Sequence, residues 1–168
     1  MDSTWTTTDL CDAHEDLLEA GLVQIVQGPW LTLGASESFC GQARVLRAFE
    51  DNSLVAELLK SAGDGAVLVV DAGASLRRAM LGGNLARAGA QNGWAGIVMH
   101  GAVRDADEID ATPIGVRAVG LCPRRSLKRG QGQRNVAVSF RGVTVKPGAW
   151  IYADRDSILV APHRLHAG

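Results

Sequence analysis

Two continuous apolar runs, Ala66-Val-Leu-Val-Val70 and Ile97-Val-Met99, constrain this chain more than any other feature. The first is bounded by Gly65 and Gly73, and neither run contains a polar residue. Strands buried on both faces read this way, whereas strands with one wet face alternate. Between the runs, Arg77 to Asn92 carries helical spacing through Leu81, Leu85 and Ala88 and stops at Gly93. Residues 66–99 are therefore read as a parallel βαβ unit with a right-handed crossover.

The flanks extend this unit into one α/β domain. Thr6-Thr-Thr-Asp9 reads as a helix start, with Asp9 or a threonine capping Leu10 to Leu18. Residues 41–49 read as a strand, and Asp51-Asn52-Ser53 caps a short helix from Leu54 to Lys60 that Gly63 ends. Val116 to Leu121 is a strand, followed by an irregular stretch to Gln133. Val136–Phe140 and Val143–Val145 flank the tight turn Arg141-Gly142. Trp150–Tyr152 and Ser157–Val160 complete a β-rich C-terminal part, and the tail from His163 is expected to fray. Residues 1–168 form a single domain in this reading.

Bulk properties narrow the function classes. A net charge of −1 over 168 residues argues against direct nucleic-acid binding, which needs a strongly basic field. No apolar run approaches the roughly 18 residues of a membrane span. Met-Asp-Ser-Thr-Trp5 has neither the basic nor the apolar region of a secretory signal. Cys11, Cys40 and Cys122 are odd in number and far apart, so they are expected to be buried, reduced thiols. The expected location is the cytoplasm.

Arg104-Asp105 carries the chemical signal. It follows Gly96-Ile-Val-Met-His-Gly101, where a parallel strand is expected to end at a glycine turn. Ligands of α/β proteins bind beyond such strand ends. An arginine there can fork onto a carboxylate, and an aspartate can hold a hard cation. A plain surface ion pair is the alternative. Gly82-Gly83 interrupts the helical pattern one element earlier, and each glycine would cost roughly 1 kcal/mol inside a helix. A helix starting near Asn84 would instead present free amides to an anion; a kink is the competing account. If both loops share one sheet edge, a carboxylate fits between the Gly82–Leu85 amides and Arg104, with Asp105 supplying a metal. That is a chelation pocket for an α-keto acid.

Other candidates are weaker. Asp71-Ala-Gly-Ala-Ser75 resembles a dinucleotide turn but lacks G-x-G-x-x-G. Arg124, Arg125, Lys128, Arg129 and Arg134 crowd one stretch, either as a solvated loop or as a surface for an acidic partner. Asp154 and Asp156 read as turn formers. His14 and His100 have no partner at ligand spacing.

Several segments then stand in an order that resembles the RraA-like family: Phe49-Glu-Asp-Asn-Ser-Leu54, Val67-Leu-Val-Val-Asp71, Ser75-Leu-Arg-Arg-Ala79, Gln91-Asn-Gly-Trp94, His100-Gly-Ala-Val-Arg104, Gly142-Val-Thr-Val145 and Tyr152-Ala-Asp154. That family joins the regulator of ribonuclease activity A to the class II 4-hydroxy-4-methyl-2-oxoglutarate aldolases, and the resemblance runs from about Thr7 to Pro162. It implies a swivelling β/β/α domain, a ring-shaped homotrimer, and a site using Mg²⁺ or Mn²⁺ and a pyruvate-type keto acid. By position it implies Gly82, Gly83, Asn84 and Leu85 as the substrate loop, Arg104 as substrate ligand and catalytic residue, and Asp105 as the metal-binding catalytic aspartate. It also implies a secondary oxaloacetate decarboxylase activity through the same pyruvate enolate. As an alternative, it implies a non-enzymatic regulator that binds ribonuclease E. Two positions depart from the pattern. Active aldolases carry an aspartate that helps order metal-bound water 21 positions before the arginine, where this chain has Gly83, and Gly34-Ala-Ser36 replaces a Gly-Gly-Arg of regulators.

Overall fold

The computed structural model describes residues 4–168. Helices α1 (Thr7–Ala13) and α2 (Glu15–Glu19) lead into β1 (Gln24–Ile25) and β2 (Leu31–Leu33). The long strand β3 (Phe39–Arg47) is followed by α3 (Ser53–Leu59) and β4 (Val67–Asp71). A short strand β5 (Ala79–Leu81) runs into α4 (Gly83–Gln91), then β6 (Gly96–Val103), α5 (Ala106–Asp110) and β7 (Gly115–Leu121). Strands β8 (Gln133–Arg134), β9 (Val138–Phe140), β10 (Val143–Val145), β11 (Trp150–Ala153) and β12 (Ile158–Ala161) complete the chain.

The sheet runs β1-β12-β11-β3-β4-β6-β7-β2. Its centre, β3-β4-β6-β7, is parallel, and antiparallel strands flank it on both sides. Side chains of successive strand residues point to opposite faces, so the apolar run of β4 feeds two cores. Leu68 and Val70 pack with Val55, Leu59 and Ala86 under helices α3 and α4. Val67 and Val69 pack with Val138, Phe140, Val143 and Val145 of the β9–β10 hairpin. A helix layer, the sheet and a β layer therefore stack as β/β/α. Each large side chain buried this way stabilises the fold by roughly 1.5–3 kcal/mol. A third cluster joins Trp5 and Leu10 to Tyr152 and Leu159.

Local readings need five corrections. The first helix begins at Thr7, capped by Thr6, whose hydroxyl accepts from the Asp9 amide at 3.0 Å, and it breaks at His14. Residues 79–81 are a strand and not the start of a helix, because they pair with β6 and the Ala79 amide is taken by the Arg124 carbonyl. Gly101 is no turn: β6 continues through it to Val103, with a register shift between Met99 and Ala102. The tail is tied down, since the Tyr152 hydroxyl accepts from the Leu165 amide at 2.7 Å and pairs with His166 Nδ1 at 2.8 Å. All three cysteines are free, but only Cys122 is fully buried. Among the described residues, no helix is long and apolar enough to cross a membrane.

Candidate active site

Parallel pairing brings the ends of β4, β6 and β7 to one edge, and the site lies there. The Arg104 amide donates to the Leu81 carbonyl at 2.9 Å, which ties the end of β6 to the residue before the α4 turn. Both predicted loops are thus joined directly. Asp105 then adopts φ 62, ψ 49, a left-handed conformation that non-glycine residues rarely occupy and that aspartate tolerates better than most. Strain of this kind persists only where the surroundings impose it. Asp105 stands at the N-cap of α5 yet makes no side-chain cap there. Its Oδ2 accepts instead from the Gly83 amide, 3.0 Å away at the start of α4.

Gly82 explains why this approach is possible. A Cβ on Gly82 would come 2.7 Å from Asp105 Oδ2, so only glycine admits the carboxylate so close. Helix α4 starts one residue later than the double glycine begins, with Gly82 as an extended N-cap. Helix geometry leaves the amides of Asn84 and Leu85 without intrahelical acceptors, as an anion site requires.

The adjoining cavity has a volume of about 270 Å³. Gly82, Asn84, Leu85, Arg104 and Asp105 all line it, so the structure brings together every predicted site residue except Gly83, which it places behind Asp105. Lys60, Arg125 and Lys128 line it too, giving four basic side chains against one acid. By sequence, Arg125 and Lys128 group with a basic stretch, either a solvated loop or a surface for an acidic partner. The structure divides that group: Lys128 Nζ donates to Asn52 Oδ1 at 3.3 Å on the cavity wall, while Arg134 pairs with Glu57 on the outside. The wall is held by Asp51, whose carboxylate accepts from Ser53 N and Oγ and from the amides of Arg129 and Gln131. Burial pushes the Asp51 carboxyl up, but these hydrogen bonds outweigh it and hold it below its ordinary value.

Two other places are occupied by structure. His100 is turned to a different partner set, with Nδ1 at 3.0 Å from Asp71 Oδ1 and its ring stacked on Phe140 at 4.6 Å. Asp71 also accepts from the Gly73 amide, so the turn after β4 is closed on itself. A larger, more open depression of about 560 Å³ lies beside Gly41, Gly65 and Trp150. Its Arg44 and Asp64 pair with each other at 3.5 Å, and it holds none of the predicted residues.

A divalent cation fits the donor set at Asp105 if it is Mg²⁺ or Mn²⁺. Among the described residues, no group of three or more His, Cys, Asp or Glu side chains could form a closed cage. Mg²⁺ commonly takes one or two carboxylates, keeps several waters and accepts substrate oxygens. Asp105 accepts one hydrogen bond among the described residues, so its carboxylate has lone pairs to give.

Comparison with known proteins shows the family. The RraA-like family, described as Aldolase/RraA, matches residues 7–160. A Burkholderia multivorans protein named "Putative 4-hydroxy-4-methyl-2-oxoglutarate aldolase" is 52% identical over 158 residues, covering 94% of this chain and 96% of that protein. The structure of the RNA-processing inhibitor RraA from Thermus thermophilis superposes with a TM-score of 0.91 at 42% identity, covering 99% of this chain and 97% of that one. A Geobacillus kaustophilus structure named as an S-adenosylmethionine: 2-dimethylmenaquinone methyltransferase gives the same TM-score and identity over 98% of this chain and 100% of that one.

Proposed function

This chain belongs to the RraA-like family, and on that footing we propose that it is a divalent-metal-dependent lyase cleaving 4-hydroxy-4-methyl-2-oxoglutarate to pyruvate. The observation that carries the reading is Arg104 beside an under-bonded Asp105 at the open start of α4. The relatives named as aldolases support it.

In this reading the Arg104 guanidinium and the α4 amides hold the substrate's keto-acid carboxylate. Lys60, Arg125 and Lys128 suit a second carboxylate, so the cavity favours a dicarboxylate over pyruvate itself. Loss of the C4 hydroxyl proton lets the C3–C4 bond break, and its electron pair becomes a pyruvate enolate. Protonation at C3 gives one pyruvate, and the C4 fragment leaves as another. The cation that Asp105 would hold supplies positive charge where the enolate oxygen develops. Oxaloacetate can reach the same enolate by losing CO₂, which makes decarboxylation the expected side activity.

The test is pyruvate release from each substrate by purified protein with Mg²⁺ or Mn²⁺, with Arg104→Ala and Asp105→Ala as controls. Inactivity of the wild type with both metals, or an equally active Asp105→Ala, would sink the proposal. We also propose a cytoplasmic homotrimer. Leu76 and Leu121 stay exposed at the strand-end edge, where a neighbouring subunit would cover them; light scattering checks the mass.

The likeness to the RNA-processing inhibitor favours a second reading, binding of ribonuclease E. The exposed Arg124 and Arg129 would face an acidic segment of that partner. Absence of a complex in a low-salt pull-down would remove it.

A further inference from the structure

The open depression beside Gly41 and Gly65 lies where β3 and β4 begin, at the end of the sheet opposite the Arg104–Asp105 site. Segment 163–166 borders it through Arg164 and His166, and Trp150 lines it too. His166 belongs to an aromatic cluster there. Trp5 packs edge-on against Tyr152 at 5.0 Å, Trp150 stacks on Tyr152 at 6.2 Å, and the His166 ring meets both Tyr152 and Trp150 edge-on.

A chain of hydrogen bonds decides which proton His166 carries. Arg164 Nε can only donate, and it reaches His166 Nε2 at 3.1 Å, so that nitrogen is the acceptor. The single proton of a neutral imidazole then sits on Nδ1, 2.8 Å from the Tyr152 hydroxyl oxygen. That oxygen also accepts from the Leu165 amide at 2.7 Å. A second ring proton, on Nε2, would displace Arg164 and leave two cations side by side. No neighbour compensates. The Tyr152 hydroxyl and the Cys40 thiol of β3 are both pushed up by burial and stay uncharged. Asp64, on the far wall, is paired with Arg44 at 3.5 Å, and the exposed His163 is turned to the Arg164 carbonyl at 3.0 Å. Burial and Arg164 accordingly hold the His166 imidazole below its ordinary 6.5.

We propose that residues 163–166 are an acid-released latch, closed over the Trp5–Trp150–Tyr152 cluster while His166 is neutral and opened when it takes a second proton. The released segment binds that proton more readily than the closed one. The latch is therefore at full strength above about pH 6.5 and is lost as pH falls through the lower closed-state value. Opening bares aromatic surface and widens the depression at the strand-entry end, leaving the Arg104–Asp105 cavity untouched. The device stands independently of the lyase reading.

Hydrogen exchange of the Leu165 amide reads the latch directly, followed by NMR at pH 7.5 and pH 5.0 and corrected for the intrinsic rate. In wild type its opening is expected to rise about 5- to 30-fold at the lower pH, the upper end being set by a free histidine value near 6.5. His166→Gln keeps a polar side chain that cannot be protonated, and its opening is expected to change by less than about 2-fold. The Val69 amide in β4 should keep its protection at both pH values, which separates release of the latch from unfolding. Unchanged Leu165 protection in wild type would overturn the proposal, and so would an equal acid response in His166→Gln or a parallel loss at Val69. A His166 imidazole that titrates at or above 6.5 in the folded protein would overturn it as well.

Discussion

Strands β11 and β6 are each followed within two residues by an aspartate, and the two carboxylates lead different lives. Asp154, at the end of β11, accepts four hydrogen bonds: from Thr7 N at 2.7 Å, Thr7 Oγ1 at 2.8 Å, Asp156 N at 2.9 Å and Ser157 N at 3.2 Å. It closes a turn and clamps the first helix to the sheet. The carboxylate of Asp105, beyond the end of β6, accepts one hydrogen bond among the described residues, and the residue sits in a strained left-handed conformation. In the proposed reading, the same residue type at the same kind of position is architecture when its lone pairs are filled and a ligand donor when they are not. Counting partners separates the two roles better than residue identity does.

The sharpest way to break this comparison is to remove each carboxylate in turn. Asp105→Ala is expected to lower kcat/KM for pyruvate release by about 10³-fold, near 4 kcal/mol of barrier, with little change in melting temperature. Asp154→Ala should do the reverse. Losing four bonds to a charged acceptor is expected to cost about 3 kcal/mol of stability, some 6–12 °C in a domain of this size, while folded molecules keep their activity. A differential scanning calorimetry run beside the activity assay decides whether the two columns cross in this way.

Acid separates the pair more gently. Burial pushes the Asp154 carboxyl up, but the hydrogen bonds from Thr7, Asp156 and Ser157 outweigh it and hold it below the ordinary 3.8. The unfolded chain therefore takes up this proton first as pH falls. Its stabilising contribution is full above about pH 4 and is lost as pH drops through the lower folded value. Urea titrations between pH 5 and 2 should show a shallower decline for Asp154→Asn than for wild type. The smallest stability effect expected is that of Asp105→Gly, which relieves the positive φ and should raise stability by about 0.5–1 kcal/mol. A loss of stability there would mean that Asp105 is structural after all.

Much of this was legible in the sequence, for reasons that can be named. The runs 66–70 and 97–99 have no polar residue because both faces of β4 and β6 are covered, one by helices and one by a hairpin. Gly82-Gly83 and Arg104-Asp105 mark the site because close backbone approach and an exposed charge pair at a strand exit are local features. What stayed hidden depends on contacts between distant residues. Residues 79–81 have a helical pattern but gain more by pairing with β6, and Gly101 stays in the strand because Met99 before it and Ala102 after it both pair with β7 across a register shift. Arg125 and Lys128 reach the cavity only because Asp51 pulls the segment through residues 129–131 against α3. Glu108 meets Gly83 only because the left-handed turn at Asp105 aims α5 back toward α4.

The bond from the Arg104 amide to the Leu81 carbonyl has a consequence for the timescale on which this site can open. Strand β6 is paired with β4, β5 and β7, so its end belongs to the part of the sheet with the most neighbours. Exchange of such an amide with solvent requires breaking the sheet and not merely lifting a loop. The Arg104 amide should therefore exchange deuterium as slowly as the centre of the sheet, through global unfolding alone. An arginine poised to meet a ligand would then share the lifetime of the fold itself.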